Sequence, residues 1–257
     1  MAQLSDRLNR LAPSATLAMS QRSNEMMAQG INVINMSVGE PDFMTPDHVK
    51  EAGKKAIDDN FSKYSPVPGY LSLRKAIANK LKRENNLNYS ASEVIVGTGG
   101  KQGVCNTILA LVNPGDEVII PAPYWVSYPQ MVKLAGGEPV IVPAGIEQDF
   151  KVTADQLKAA ITSKTKLIIL CSPSNPTGSV YSAEELDALA KVVLAHEDLF
   201  VISDEIYEHI NYIGGHCSIA SCPGMKERTI LCNGVSKAYA MTGWRIGWVA
   251  APEWIVK

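Results

Sequence analysis

The 257-residue sequence predicts an α/β protein with a mostly parallel, seven-stranded sheet flanked by helices. Three observations predict it. Short apolar runs alternate with amphipathic stretches along most of the chain. Most of those runs are continuous and β-branched, as in strands covered on both faces. The segments that follow them, TGGKQG, PYWVSY, SPSNPTG, DEIYE and GVSKAYAMTGWR, carry aromatic and charged residues as well as turn formers.

The elements follow in order. Pro46 opens a helix over DHVKEAGKKAIDDN, since proline suits a helix start. KYSPVPGY is turn-rich. A second helix runs through LSLRKAIANKLKRENN, where Leu73, Ile77 and Leu81 recur every four residues and mark a buried face. Strands are expected at EVIVG, EVIIPA, EPVIV, KLIILC, LFVIS, TILCN and RIGWVAA, with helices between the first six. In such sheets ligands bind outside the carboxyl ends of the strands, so the residues just after these runs carry the strongest functional expectation.

Composition narrows the class of function. With 46% hydrophobic and 19% charged residues, the chain is an ordinary globular protein large enough to bury a sizeable core. Its 24 basic and 26 acidic residues give a net charge of −2, so no nucleic acid is expected as a partner. No segment reaches the roughly 18 apolar residues of a spanning helix, and the amino terminus lacks an uninterrupted apolar signal core. A cytoplasmic protein with no membrane partner is expected. Cys105, Cys171, Cys217, Cys222 and Cys232 form no C-x-x-C pair and read as reduced thiols.

Several familiar motifs fail. The turn from Gly97 to Gly103 has Gln102 where a dinucleotide fingerprint needs glycine and where a Walker A loop needs serine or threonine. What survives is a strand followed by small residues opening a helix, which offers backbone N–H groups to an anion. No H-E-x-x-H or clustered Cys/His spacing supports a metal. His48, His196 and His209 read as surface or packing residues, and His216 sits in a glycine-rich loop. Gly234-Val-Ser236-Lys237-Ala lacks the last glycine of a nucleophile elbow. Asp204 closes an apolar run, where a carboxylate is costly unless it meets a cation or donors. Together with Lys237, Arg245 and an anion-binding turn, it completes the parts an aldehyde cofactor with a phosphate tail needs.

LAPSATLAM, INMSVGEPDFMTP, KYSPVPGYLSLRKAIA, VGTGGKQG, PAPYWVSYP, SPSNPTGSVYS, VISDEIYE and GVSKAYAMTGWRIGW run through nearly the whole chain. In that order and spacing they resemble the class I, fold type I aminotransferases of the aspartate aminotransferase family, in its bacterial-type subgroup. The resemblance implies pyridoxal 5'-phosphate as cofactor and the large-domain fold of these transferases. It also implies that residues 1–44 belong partly to a small domain and that 45–257 form the large domain. The C-terminal small domain is then expected to lie outside this chain, and no arginine here matches the one with which it binds the substrate α-carboxylate.

Residue by residue, the resemblance makes Lys237 the Schiff-base lysine, which also moves a proton between substrate Cα and the cofactor. It pairs Asp204 with the pyridine nitrogen, and Asn175 and Tyr207 with the phenolate oxygen. Trp125 stacks on the ring. Gly99, Gly100 and Lys101 bind the phosphate through backbone N–H groups, aided by Ser236 and Arg245. Tyr64 reaches the phosphate of a neighbouring subunit, which implies a homodimer with a shared active site. Gly39, Lys101, Trp125 and Asn175 surround the substrate, with Lys101 on the distal carboxylate of a dicarboxylic substrate. Ping-pong transfer between aspartate or glutamate and a 2-oxo acid follows. Lys237, Asp204 and Arg245 are shared by all fold type I enzymes, which leaves open an aromatic or prephenate aminotransferase, a β-lyase, or a truncated chain that binds cofactor without turnover.

Overall fold

The structure, a computed structural model, describes residues 4–257; the first three residues of the expected 1–44 segment lie outside the described residues. Seven strands form one sheet: β1 (Val94–Gly97), β2 (Glu117–Ala122), β3 (Glu138–Pro143), β4 (Thr165–Cys171), β5 (Phe200–Asp204), β6 (Thr229–Gly234) and β7 (Gly247–Ala250). Their order is β1-β7-β6-β5-β4-β2-β3. The pairs among β2 to β6 are parallel, and β7 runs antiparallel to both β6 and β1. The mostly parallel sheet agrees with the sequence reading.

Nine helices accompany it among the described residues: α1 (Asp6–Asn9), α2 (Ala15–Ala28), α3 (Asp47–Asp58), α4 (Leu71–Asn85), α5 (Gly100–Leu111), α6 (Ser127–Ala135), α7 (Ala154–Ala160), α8 (Ala183–Leu194) and α9 (Glu253–Val256). Strand residues alternate between the two faces of the sheet. Val118 and Ile120 of β2, with Leu167 and Ile169 of β4, pack on Val104 and Ile108 of α5 and Met131 and Val132 of α6. Their neighbours Ile119, Ile168 and Leu170 pack on Leu157 of α7 and Leu186, Leu189 and Val193 of α8. Coverage on both faces is why these strands read as unbroken apolar runs. Reciprocal capping boxes start α7 at Thr153 with Gln156, and α8 at Ser182 with Glu185.

Two expectations need correction. No α-helix joins β5 to β6: the connection holds only 3₁₀ turns at Ile219–Ser221 and Lys226–Arg228. That stretch lacks a helical apolar stripe, and its residues serve the sheet edge instead. In α4, Ile77 and Leu81 are buried against Val94, Leu231 and Trp248, whereas Leu73 is 37% exposed. Leu73 lies in the first turn, ahead of the part of α4 that reaches the sheet.

The amino-terminal segment is held differently. Neither α1 nor α2 buries a side chain, and both Leu17 and Met36 stand exposed. Tethers to the rest of the chain include Ala12 N to Gln130 Oε1 (3.0 Å) and Thr45 Oγ1 to Ala240 O (2.7 Å). Among the described residues no helix is long and apolar enough to cross a membrane.

Candidate active site

Parallel pairing brings the carboxyl ends of β2, β4, β5 and β6 to one edge of the sheet, and the antiparallel β7 begins there. The register aligns Cys171, Asp204 and Cys232, and beside them Gly97, Gly247 and Gly234. The glycines permit a close approach. A Cβ on Gly247 would lie 2.3 Å from the Gly100 amide, so α5 starts directly against β7. Gly99 has φ +98°, and a Cβ there would lie 2.4 Å from Arg245 Nη2.

This turn gathers positive charge. The first amides of α5 have no acceptor within the helix and lie at its positive end. The Gly99 amide itself donates to Gly97 O at 2.9 Å, which leaves Gly100 and Lys101 as the amides for an anion. Arg245, held at φ 57°, donates to Thr242 O (2.7 Å) and Thr98 O (3.1 Å), so its guanidinium lies over the turn. Ser236, two residues past β6, is buried.

Asp204 is 6% exposed. Among the described residues it meets donors and no cation: Oδ2 accepts from Tyr128 Oη at 2.7 Å, and Oδ1 from the Ile206 amide at 3.3 Å. Burial pushes its carboxyl up to about 6, and these two donors oppose the rise. Asn175 Nδ2 donates to Tyr207 Oη at 3.3 Å. Lys237 Nζ lies 5.9 Å from the Tyr207 ring centroid and donates to Gly39 O at 2.5 Å. Burial lowers the Lys237 amine below its ordinary value; Glu40 opposes this and Arg245 adds to it. Lys101 Nζ sits 4.9 Å over the Trp125 ring. The structure therefore brings the residues expected from the sequence into one cluster, with the exception of Tyr64, which stands fully exposed.

The family model described as "Aminotransferase class I and II" matches residues 31–257. The chain belongs to this family. It is 52% identical over its full length to an aspartate/prephenate aminotransferase of Cereibacter sphaeroides, covering 65% of that protein. It is 49% identical to the bifunctional aspartate aminotransferase and glutamate/aspartate-prephenate aminotransferase of Petunia hybrida, over 97% of this chain and 52% of the relative. Among solved structures, Thermus thermophilus aspartate aminotransferase with maleate superposes with a TM-score of 0.96 at 44% identity, covering all of this chain and 66% of that one. The chain thus spans about two-thirds or less of the length of these aminotransferases.

Two groups in this chain escaped the sequence reading. Tyr128 is one. It stands three residues after Trp125, close to one helical turn, and the two rings meet edge to face at 5.3 Å. That spacing was the available signal. The other is a buried polar cluster behind Asp204 and Tyr207. Glu205 accepts from Ser203 (2.8 Å), Ser218 (2.6 Å) and His216 (2.8 Å). Glu208 accepts from Lys80, from Asn233 (2.8 Å) and from Asn85 (2.9 Å). Burial raises Glu208, but Lys80 and Asn85 outweigh it and hold the carboxyl below its ordinary value. Burial likewise pulls His216 down, and Glu205 more than restores it. Glu205, Glu208 and His216 are close enough together to hold a cation, and Lys80 fills that role at Glu208.

Proposed function

We propose that this chain carries the cofactor-binding and catalytic part of a pyridoxal-phosphate-dependent aspartate aminotransferase, moving an amino group between L-aspartate or glutamate and a 2-oxo acid. The observation that carries the reading is a half-buried Lys237 amine sharing one sheet edge with a buried Asp204 carboxylate that forms no ion pair among the described residues. Further support comes from the donor set. A turn whose Gly99 leaves no room for a side chain beside Arg245 suits a phosphate, and the Asn175–Tyr207 pair suits an anionic ring oxygen. These residues fit a phosphorylated pyridine aldehyde.

On this reading the Gly100 and Lys101 amides, Ser236 and Arg245 bind the phosphate, the arginine as a planar fork. Asp204 holds a proton on the ring nitrogen, and Asn175 and Tyr207 donate to the ring oxygen. Trp125 covers one ring face and excludes water. Lys237 serves first as nucleophile in its uncharged form and then moves a proton at the substrate Cα. Bound there, pyridoxal phosphate supplies the electron sink for the pair left at that carbon. The Gly39 backbone meets the α-carboxylate, and Lys101, beside Trp125, meets the distal one. Dicarboxylic substrates are in keeping with relatives named for aspartate and prephenate, and prephenate belongs to the same proposal.

The reading includes a homodimer. Its support is Tyr64, which is exposed on its own chain as a residue serving a partner's phosphate should be. It also keeps a division near residue 45, because the helices before it bury nothing. Adding pyridoxal phosphate should give the protein a visible absorption band that aspartate bleaches as amino transfer begins. Lys237→Ala should lack that band. An identical band in the variant would overturn the role of Lys237, and a band indifferent to aspartate would reduce the chain to a cofactor binder.

A further inference from the structure

The buried carboxylates along the β5 edge are treated in two ways. Glu205 and Glu208 each meet a titratable nitrogen, His216 and Lys80. Asp204, one residue from Glu205, forms no ion pair among the described residues and takes neutral donors. The shorter contact comes from Tyr128, a phenol only 2% exposed whose hydroxyl lies between the Asp204 carboxylate and the Cys171 thiol, a group that burial pushes up and keeps neutral.

The chemistry of that choice matters. A lysine or arginine in the place of Tyr128 would stabilise the carboxylate and cancel its charge. A neutral O–H donor stabilises the carboxylate and leaves the charge in place, free to act on a second proton-bearing group. We propose that Tyr128 is a positioning residue that keeps Asp204 anionic and turned by its Oδ2 contact, so that the uncancelled charge selects a protonated ring nitrogen. This rests on the reading of the site as one for pyridoxal phosphate. The phenol is suited to permanent donation, since burial and then the Asp204 charge both push its ionisation well above the ordinary range. Its ring is fixed by Trp125, the residue assigned to cover the same ligand.

The test has a part without cofactor. In ligand-free protein labelled with ¹³C at aspartate Cγ, the Asp204 signal is the one lost in Asp204→Asn. Its titration midpoint should rise by about one pH unit or more in Tyr128→Phe, and should fall in wild-type protein made with 3-fluorotyrosine, a stronger donor. The second measurement needs no variant and decides the matter if Tyr128→Phe does not fold. An unmoved midpoint in either case overturns the proposal. In the loaded protein, Tyr128→Phe should weaken pyridoxal phosphate binding about threefold near pH 6.5, with the gap closing toward pH 9 as Asp204 ionises in both proteins. A loss of equal size at every pH would mark Tyr128 as packing only and overturn it. If wild-type protein does not bind pyridoxal phosphate at all, the reading of the site fails, while the carboxyl titration still decides whether Tyr128 governs Asp204.

Discussion

Asp204 shows how a site residue sets itself against the stability of its own fold. Its carboxyl ionises near 6 in the folded chain, against 3.8 for an ordinary aspartate. Between those values the folded state binds a proton that the unfolded state has lost, so stability falls as pH rises through roughly 4 to 6. The loss amounts to about 3 kcal/mol. Ligand-free Asp204→Asn should therefore melt above wild type at pH 8, with the difference shrinking toward pH 4; thermal unfolding across that range checks it. Asp204 and Lys237 were legible as charged residues just after apolar runs. Tyr128 was not, because a tyrosine in an amphipathic helix looks like core until its partner 76 positions away is known.

At the scale of elements, the tight seam is where α5 meets β7. Gly247→Ala would place a methyl 2.3 Å from the Gly100 amide, against the Gly99–Gly100 backbone and with no flexible side chain to yield. The start of α5 must move. The expected result is destabilisation by about 1–3 kcal/mol and weaker phosphate binding, read by melting and by inorganic phosphate competition. Behind the site, Glu208 ties α4 to the end of β6 through Lys80, Asn85 and Asn233. Glu208→Gln leaves a Lys80 that is 15% exposed with only Glu84, at 3.5 Å, as its anion, at a cost of about 1–3 kcal/mol at neutral pH. Because the Glu208 carboxyl sits below its ordinary value, its contribution is present above about pH 4.5 and disappears as pH falls through the folded value. Strand positions were readable because burial on two faces writes an unbroken apolar run. The β5–β6 connection was not, because its ordering comes from Glu205 meeting Ser218 and His216, a contact that leaves no periodic trace.

The whole molecule divides into a well-packed sheet with its helices and an amino-terminal segment with little core of its own. If Tyr64 serves a partner's site, mixing Lys237→Ala with Tyr64→Ala subunits rebuilds one complete site per mixed dimer. Activity should then return to roughly a quarter of wild type at equal mixing. No recovery after verified subunit exchange would show that each chain acts alone. Lys237 itself holds part of the amino-terminal segment: its amine donates to Gly39 O while neighbouring Glu40 accepts from Thr242. An amine engaged by cofactor must let that carbonyl go. Loading should then loosen the stretch between residues 30 and 45, so that a protease cuts there faster in the charged protein than in the empty one. The rate of nicking at this strap becomes a clock for cofactor occupancy, readable on a gel with no spectrum at all.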